Sequence, residues 1–197
     1  MKKAVLFSIN PEWAHRIVDG EKQYEIRKTA PKIPIPYTGY LYMTSGGYEW
    51  RDPWCTAISP DGRGDNLYNG AQRVIASFVV DKVHTIKNFG SRFVVDCTEE
   101  AETNRIAKES CLNFVDMQKY AGDRKVLYAL HITNVKVFDE PKEISDFYRL
   151  CPKPNTDTCY GCKYLFKTYT QSGWKHARCT RALKRPPQSW FYVEELE

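Results

Sequence analysis

No run of apolar residues in this 197-residue chain approaches the ~20 that a helix needs to cross a bilayer. The apolar stretch behind Lys2-Lys3 ends by Asn10-Pro11, too short for the core of a secretory signal. The expectation is a soluble, cytoplasmic protein without a membrane partner. There is no internal repeat and no low-complexity tract. With 42% hydrophobic and 14% aromatic residues, the chain can build a packed core, so a disordered class is excluded. None of the four histidines (His15, His84, His131, His176) sits in a recognisable catalytic motif, and each reads as structural. Seven cysteines, an odd number, speak against a disulfide framework in an intracellular chain.

Negative charge is missing more locally. Between Thr158 and Val193 there is no Asp or Glu, while Lys163, Lys167, Lys175, Arg178, Arg181, Lys184 and Arg185 contribute +7. The whole chain carries +5, so everything outside that segment sums to −2. A single-sign patch of this kind attracts polyanions.

What is present is organised around Gly20-Glu21-Lys22-Gln23-Tyr24-Glu25-Ile26-Arg27. A helix over 11–19 precedes it: Asn10 is a suitable N-cap, Pro11 suits the first helical position, and Trp13, Ile17 and Val18 recur at helical spacing. Gly20 supplies the left-handed residue that ends it. The chain leaves as an extended segment, in which Tyr24 and Ile26 share one face and Glu25 and Arg27 the other. Tyr24 and Ile26 read as core, so the charged pair points outward or into a cleft, with Lys22 leaning over it. On charge pattern alone, the plain alternative is a solvated edge strand with weak ion pairs.

Along the rest of the chain, Ala4–Ile9 reads as a first strand. Pro31, Pro34 and Pro36 disfavour regular structure. Strands follow at 38–44, 72–86 and 126–138, then a final one at 189–194 that would close a barrel. Between them lie a long loop at 45–70, a polar loop or short helix at 98–110, a short amphipathic helix at Phe114–Ala121 ended by Gly122, and a short helix at 143–150. The loop carries Tyr48, Trp50, Trp54 and Tyr68, read either as pins to the body or as a lid that stacks on a base.

Within 150–186 sit Cys151, Cys159, Cys162 and Cys179. The C-x-x-C turn at 159–162 lets two thiolates reach one tetrahedral ion, and Cys151 and Cys179 can complete the set, with His176 a possible substitute. The expectation is a structural Zn2+, with an iron–sulfur cluster as the alternative that uses the same four thiolates. Cys55, Cys97 and Cys111 read as small buried hydrophobes. Tyr164, Phe166, Tyr169 and Trp174 interleave the basic residues, the mixture that single-stranded nucleic acid requires. Lys175, Arg178 and Arg181 are its candidate contacts.

The apolar first strand, the capped helix, the G-x-K-x-x-E-x-R turn and the β-rich body together resemble the ASCH family of the PUA-like superfamily. The closing Arg185-Pro186-Pro187-Gln188-Ser189-Trp190-Phe191-Tyr192-Val193 resembles the ending of phage and prophage members. The resemblance implies an α+β fold: a PUA-like mixed β pseudo-barrel over 1–149, completed by 187–197 and interrupted by a small metal-stapled Cys-rich module at 150–186. It also implies recognition of RNA, single-stranded nucleic acid or a modified nucleotide in a cleft at Trp13, Lys22, Glu25 and Arg27. There Lys22 and Arg27 would meet phosphate or a base carbonyl, and Glu25 an exocyclic amine. The alternative is a hydrolase of a modified nucleoside or of RNA, amidohydrolase- or ribonuclease-like, with Lys22 and Glu25 catalytic. Lys22 and Arg27 match the lysine and arginine of the deacetylating relatives. Glu25 occupies the position of their threonine, and Glu99, Glu100, Glu102 and Glu109 are the candidates for their downstream glutamate. Glu25 as a general base beside a lysine of lowered pKa is the chemistry left open.

Overall fold

The structure, a computed structural model, describes residues 2–44, 72–96, 100–152, 162, 164–170 and 173–196. The aromatic loop at 45–70 lies outside them. Nine strands and three helices run along the described chain as β1 (Lys3–Ile9), α1 (Pro11–Val18), β2 (Tyr24–Arg27), β3 (Tyr37–Met43), β4 (Arg73–Asn88), β5 (Phe93–Val95), α2 (Glu100–Glu109), α3 (Phe114–Ala121), β6 (Val126–Lys142), β7 (Leu165–Thr170), β8 (Gly173–Cys179) and β9 (Trp190–Glu194). No helix among the described residues is long and apolar enough to cross a membrane.

The main sheet has the order β2-β6-β4-β3-β1-β9, with β5 attached to β4. β1 runs parallel to β3 and antiparallel to β9, and it is buried on both faces from Ala4 onward. Period-2 alternation sorts its residues: Val5, Phe7 and Ile9 enter one core, Ala4 and Leu6 another. Tyr37, Leu41 and Met43 of β3 join the first core, and Tyr40 and Tyr42 the second. Gly39 is required between them, because any Cβ there would strike the Phe78 ring. α1 lays Ala14 and Ile17 on the first core. A third cluster, behind β2 and β6, contains Tyr24, Ile26, Leu127 and Ala129 under Ile106 of α2 and Ala121 of α3.

β4 is one strand of sixteen residues, and its ladder with β6 shifts register three times. Such bulges bend a strand and tighten its twist. The sheet therefore coils until its two edges approach one another. The expected closure by the last strand does not occur: the one ladder of β9 among the described residues is with β1, and none joins it to β2. β2 has four residues, and the prolines that follow remove amide donors just where a ladder would continue. Side chains span the gap instead. Trp190 Nε1 donates to Thr29 O and Oγ1, both at 3.1 Å, and the Lys32 amide donates to Tyr192 Oη at 2.8 Å.

The polar stretch at 98–110 is a helix over its second part, α2, of ten residues. The expected helix at 143–150 is one 3-10 turn, Ile144–Asp146, followed by bridges from Tyr148 to Ala182 and Arg149 to Val193. Within 150–186, β7 and β8 form a separate two-stranded sheet.

Candidate functional site

α1 builds the first wall. Asn10 Oδ1 accepts from the Glu12 amide at 3.3 Å, and Gly20, at φ 77°, turns the chain back along the helix. The Lys22 amide then donates to Arg16 O at 2.8 Å, and the Gln23 amide to Glu109 O at 2.9 Å. This clamped turn delivers Lys22 to the start of β2, and the β2–β6 ladder fixes which face Glu25 and Arg27 share.

The three charged side chains converge, and they are buried: Lys22 is 2% exposed, Glu25 8% and Arg27 6%. The solvated edge strand with exposed ion pairs is thereby excluded. Lys22 Nζ donates to Ser110 O at 2.5 Å and stands 3.6 Å from Glu25 Oε2. Arg27 Nε lies 3.0 Å from Glu25 Oε1, while its Nη2 donates to Ser8 O at 2.8 Å and its Nη1 to Ser189 Oγ at 3.4 Å. Lys22 Nζ also lies 5.1 Å from the centroid of the Trp13 ring. Burial pulls the Lys22 ammonium below the usual lysine pKa, against the opposing pull of Glu25.

These groups line one cleft of about 670 Å3, within the range of small-molecule sites. Its other walls were not apparent from the sequence: Ser8 and Asn10 near β1, Lys28 after β2, and Asp116, Lys119 and Tyr120 on α3. Lys28 Nζ sits 5.1 Å from the Tyr120 ring centroid, and burial pushes the Tyr120 phenol pKa up. Four cations (Lys22, Arg27, Lys28, Lys119) face two carboxylates (Glu25, Asp116), so the lining carries +2. An anion is the ligand this balance favours.

The candidate downstream glutamates do not join it. Glu102 accepts from Tyr24 Oη at 2.6 Å and Glu109 from Arg105 Nε at 2.9 Å, and neither lines the cleft. Glu99 lies outside the described residues, as does the Glu100 side chain. Around Glu102 and Glu109 a second polar cluster forms under α2. His131 Nδ1 is 2.6 Å from Asp81 Oδ1, and Arg105 Nη2 is 2.9 Å from His131 Nε2. Arginine cannot accept, so the His131 proton sits on Nδ1, toward Asp81. His84 Nε2 is 3.3 Å from Glu102 Oε1.

Of the basic segment, the described side chains Arg181, Lys184 and Arg185 do not line the cleft. Arg181 is paired with Glu194, donates to Arg149 O at 2.8 Å, and donates from Nε to Cys179 Sγ at 2.9 Å. Lys175, His176 and Arg178 lie on β8, their side chains outside the described set. Cys151 and Cys162 are half-buried and Cys179 exposed, while Cys159 lies outside the described residues. Among the described residues no three His, Cys, Asp or Glu side chains are grouped to hold a metal. Cys111 is not buried as expected. It sits half-exposed at φ 55°, its Sγ 3.5 Å from Glu21 O, because the chain reverses there between α2 and α3.

The model of the ASCH domain family matches residues 7–142. Among solved structures, the chain is similar to ASCH from Zymomonas mobilis, 16% identical, with TM-score 0.47 over 72% of this chain and 73% of that one. It is equally similar to a tyrosine-to-phenylalanine mutant of that protein, 16% identical, with TM-score 0.47 over 73% and 77% of the two chains. No curated protein matches the sequence.

Proposed function

We propose a function from the fact that the chain belongs to the ASCH domain family, whose PUA-like fold is generally linked to RNA binding: the cleft at Lys22, Glu25 and Arg27 binds a nucleotide unit of RNA. The observation that carries this reading is the convergence of two buried cations on one buried carboxylate at the edge of a +2 cleft. Glu25 offsets one cation, and a phosphate or base carbonyl meets the other. Trp13 and Tyr120 give the cleft aromatic walls, and Ser8 and Asn10 supply neutral polar groups.

One observation favours the hydrolytic alternative: burial lowers the pKa of Lys22, as catalysis by a lysine base would need. Against it, Glu25 holds the threonine position of the deacetylating relatives, and Glu102 and Glu109 are committed beneath α2. Binding is therefore preferred. The test pairs two assays on wild type and Lys22→Ala: affinity for a short single-stranded RNA, and turnover of acetylated cytidine. Binding should fall about tenfold or more, the loss of one charge-assisted contact of about 1.5–3 kcal/mol, with no turnover in either protein. Lys22-dependent turnover with unchanged RNA affinity would overturn the reading.

The Cys-rich segment is proposed as a zinc-stapled basic accessory whose ligands are Cys151, Cys159, Cys162 and Cys179. The C-x-x-C spacing supports this, since it lets two thiolates reach one tetrahedral ion. Elemental analysis of the purified protein should find about one zinc per chain, and none in Cys162→Ser. Iron in its place would point to a cluster.

A further inference from the structure

Beyond the cleft, α3 separates it from a second concave surface. The turn between β4 and β5 and the turn between α3 and β6 form a groove of about 630 Å3 lined by Lys87, Phe89, Asp123, Arg124 and Lys125 among others. With Arg92 on the same β4–β5 turn, four cations stand against one carboxylate, a balance of +3. In their midst Phe89 is 59% exposed, a large apolar ring that the core does not use. The Arg92 guanidinium lies 5.8 Å from its centroid.

The two turns are tied to each other. The Asn88 amide donates to Lys125 O at 2.8 Å and its Nδ2 to Arg124 O at 3.1 Å, while its Oδ1 accepts from the Gly90 amide at 2.9 Å. Gln118, on α3, donates to Gly90 O. The ring and the cations are thus presented on a braced surface, which lowers the entropy lost when a ligand orders them. An exposed aromatic ringed by cations fits a base stacked between phosphates, and that pairing is what single-stranded nucleic acid recognises.

α3 also joins the two surfaces. Its Asp116, Lys119 and Tyr120 line the cleft, and its Gln118 braces the groove. At ~3.6 residues per turn Gln118 is about 200° round the helix from Asp116, so the two surfaces flank a helix about 10–12 Å across, about three to four nucleotides of stacked single strand at ~3.4 Å each. We propose that the groove between the β4–β5 and α3–β6 turns is a second contact for single-stranded nucleic acid, stacking one base on Phe89 and continuing the strand held in the cleft. This rests on the reading of the cleft as an RNA site.

The test uses fluorescence anisotropy with polyuridine oligomers of two lengths, about three and about twelve nucleotides, on the full chain. Phe89→Ala removes a ring the core does not need, and the Arg124→Glu, Lys125→Glu pair reverses two exposed charges, so both should fold; circular dichroism checks this. For the longer oligomer each variant should bind about tenfold more weakly, and the charge-reversed pair should also show a shallower salt slope. For the shorter oligomer the change should stay within about twofold, since it fits the cleft alone. Equal loss at both lengths, no loss at either, or no binding of the longer oligomer by wild type would overturn the proposal. If Lys22→Ala leaves the shorter oligomer unaffected while the groove variants still weaken the longer one, the cleft reading falls and the groove stands.

Discussion

β2 carries a polar cluster on each face, and the two differ in sign and in cover. On the Tyr24 face, the four carboxylates Asp81, Asp96, Glu102 and Glu109 outnumber the two cations Lys82 and Arg105, histidines aside. α2 roofs it, and its partners are found within: Tyr24 with Glu102, His131 with Asp81 and Arg105. On the Glu25 face the balance is +2, and Lys22, Glu25 and Arg27, more deeply buried than Asp81, Lys82, Asp96 or Arg105, end at an open cleft. The same four residues therefore lock a helix with one face and present charge with the other. Buried ion pairs alone do not identify a site; the open cleft into which one set of them faces does.

The comparison breaks most visibly at Arg27, which does structural work as well as facing the cleft. It bridges β2 to Ser8 of β1 and to Ser189 ahead of β9, across the unpaired sheet edges. Arg27→Ala should cost about 3 kcal/mol, the low end for breaking a buried pair, because Glu25 keeps Lys22. Thermal denaturation should show a fall of roughly 10 °C, together with weaker RNA binding. A fall of under about 2 °C would mean that the edge contacts are dispensable.

Arg105→Ala probes the covered face. It strips His131 Nε2 and Glu109 of their shared partner and should cost about 1–2 kcal/mol. RNA affinity should stay within about twofold, since Arg105 does not line the cleft. A loss of affinity as large as that of Lys22→Ala would mean that the two faces are coupled through β2.

How much of this was legible follows from where each signal lies along the chain. The alternation in Tyr24–Arg27 and the caps of α1 are local, and both faces of β2 could be assigned from them. The cover could not. Among its described residues α2 offers one fully buried apolar residue, Ile106, worth about 2 kcal/mol, and its polar surface reads as loop. Tyr120, Asp116 and Lys119 reach the cleft from nearly a hundred residues away, with no periodicity that marks them. The open sheet edge arises from the shortness of β2 and the prolines behind it. Those prolines were visible, but their consequence depended on how far β4 would bend.

The finest test of the two faces is alkaline pH, where they should act with opposite sign. On the covered face, burial and the bond to Glu102 push the Tyr24 phenol pKa well above its usual 10. The unfolded chain then releases this proton first, so stability is full below pH ~10 and falls as pH rises further. On the cleft face, burial pulls Lys22 below 10.5. The folded chain releases that proton first, so stability rises as pH climbs through the lowered value toward 10.5. Tyr24→Phe should cost about 1 kcal/mol near neutrality and remove the alkaline fall. Lys22→Met should change neutral stability by about 1 kcal/mol or less, because relief of the buried charge offsets the donor lost to Ser110 O. It should also abolish the rising limb. Over the same limb the RNA affinity of wild type should decline as Lys22 loses its charge, a decline that Lys22→Met lacks. Chemical denaturation and anisotropy across pH 8–11, about the range that brackets the ordinary values of both groups, read both curves. If wild-type stability showed no rise below pH ~10 that Lys22→Met removes, Lys22 would have to be an ordinary solvated lysine, and the cleft would lose the buried cation on which its selectivity for anions depends.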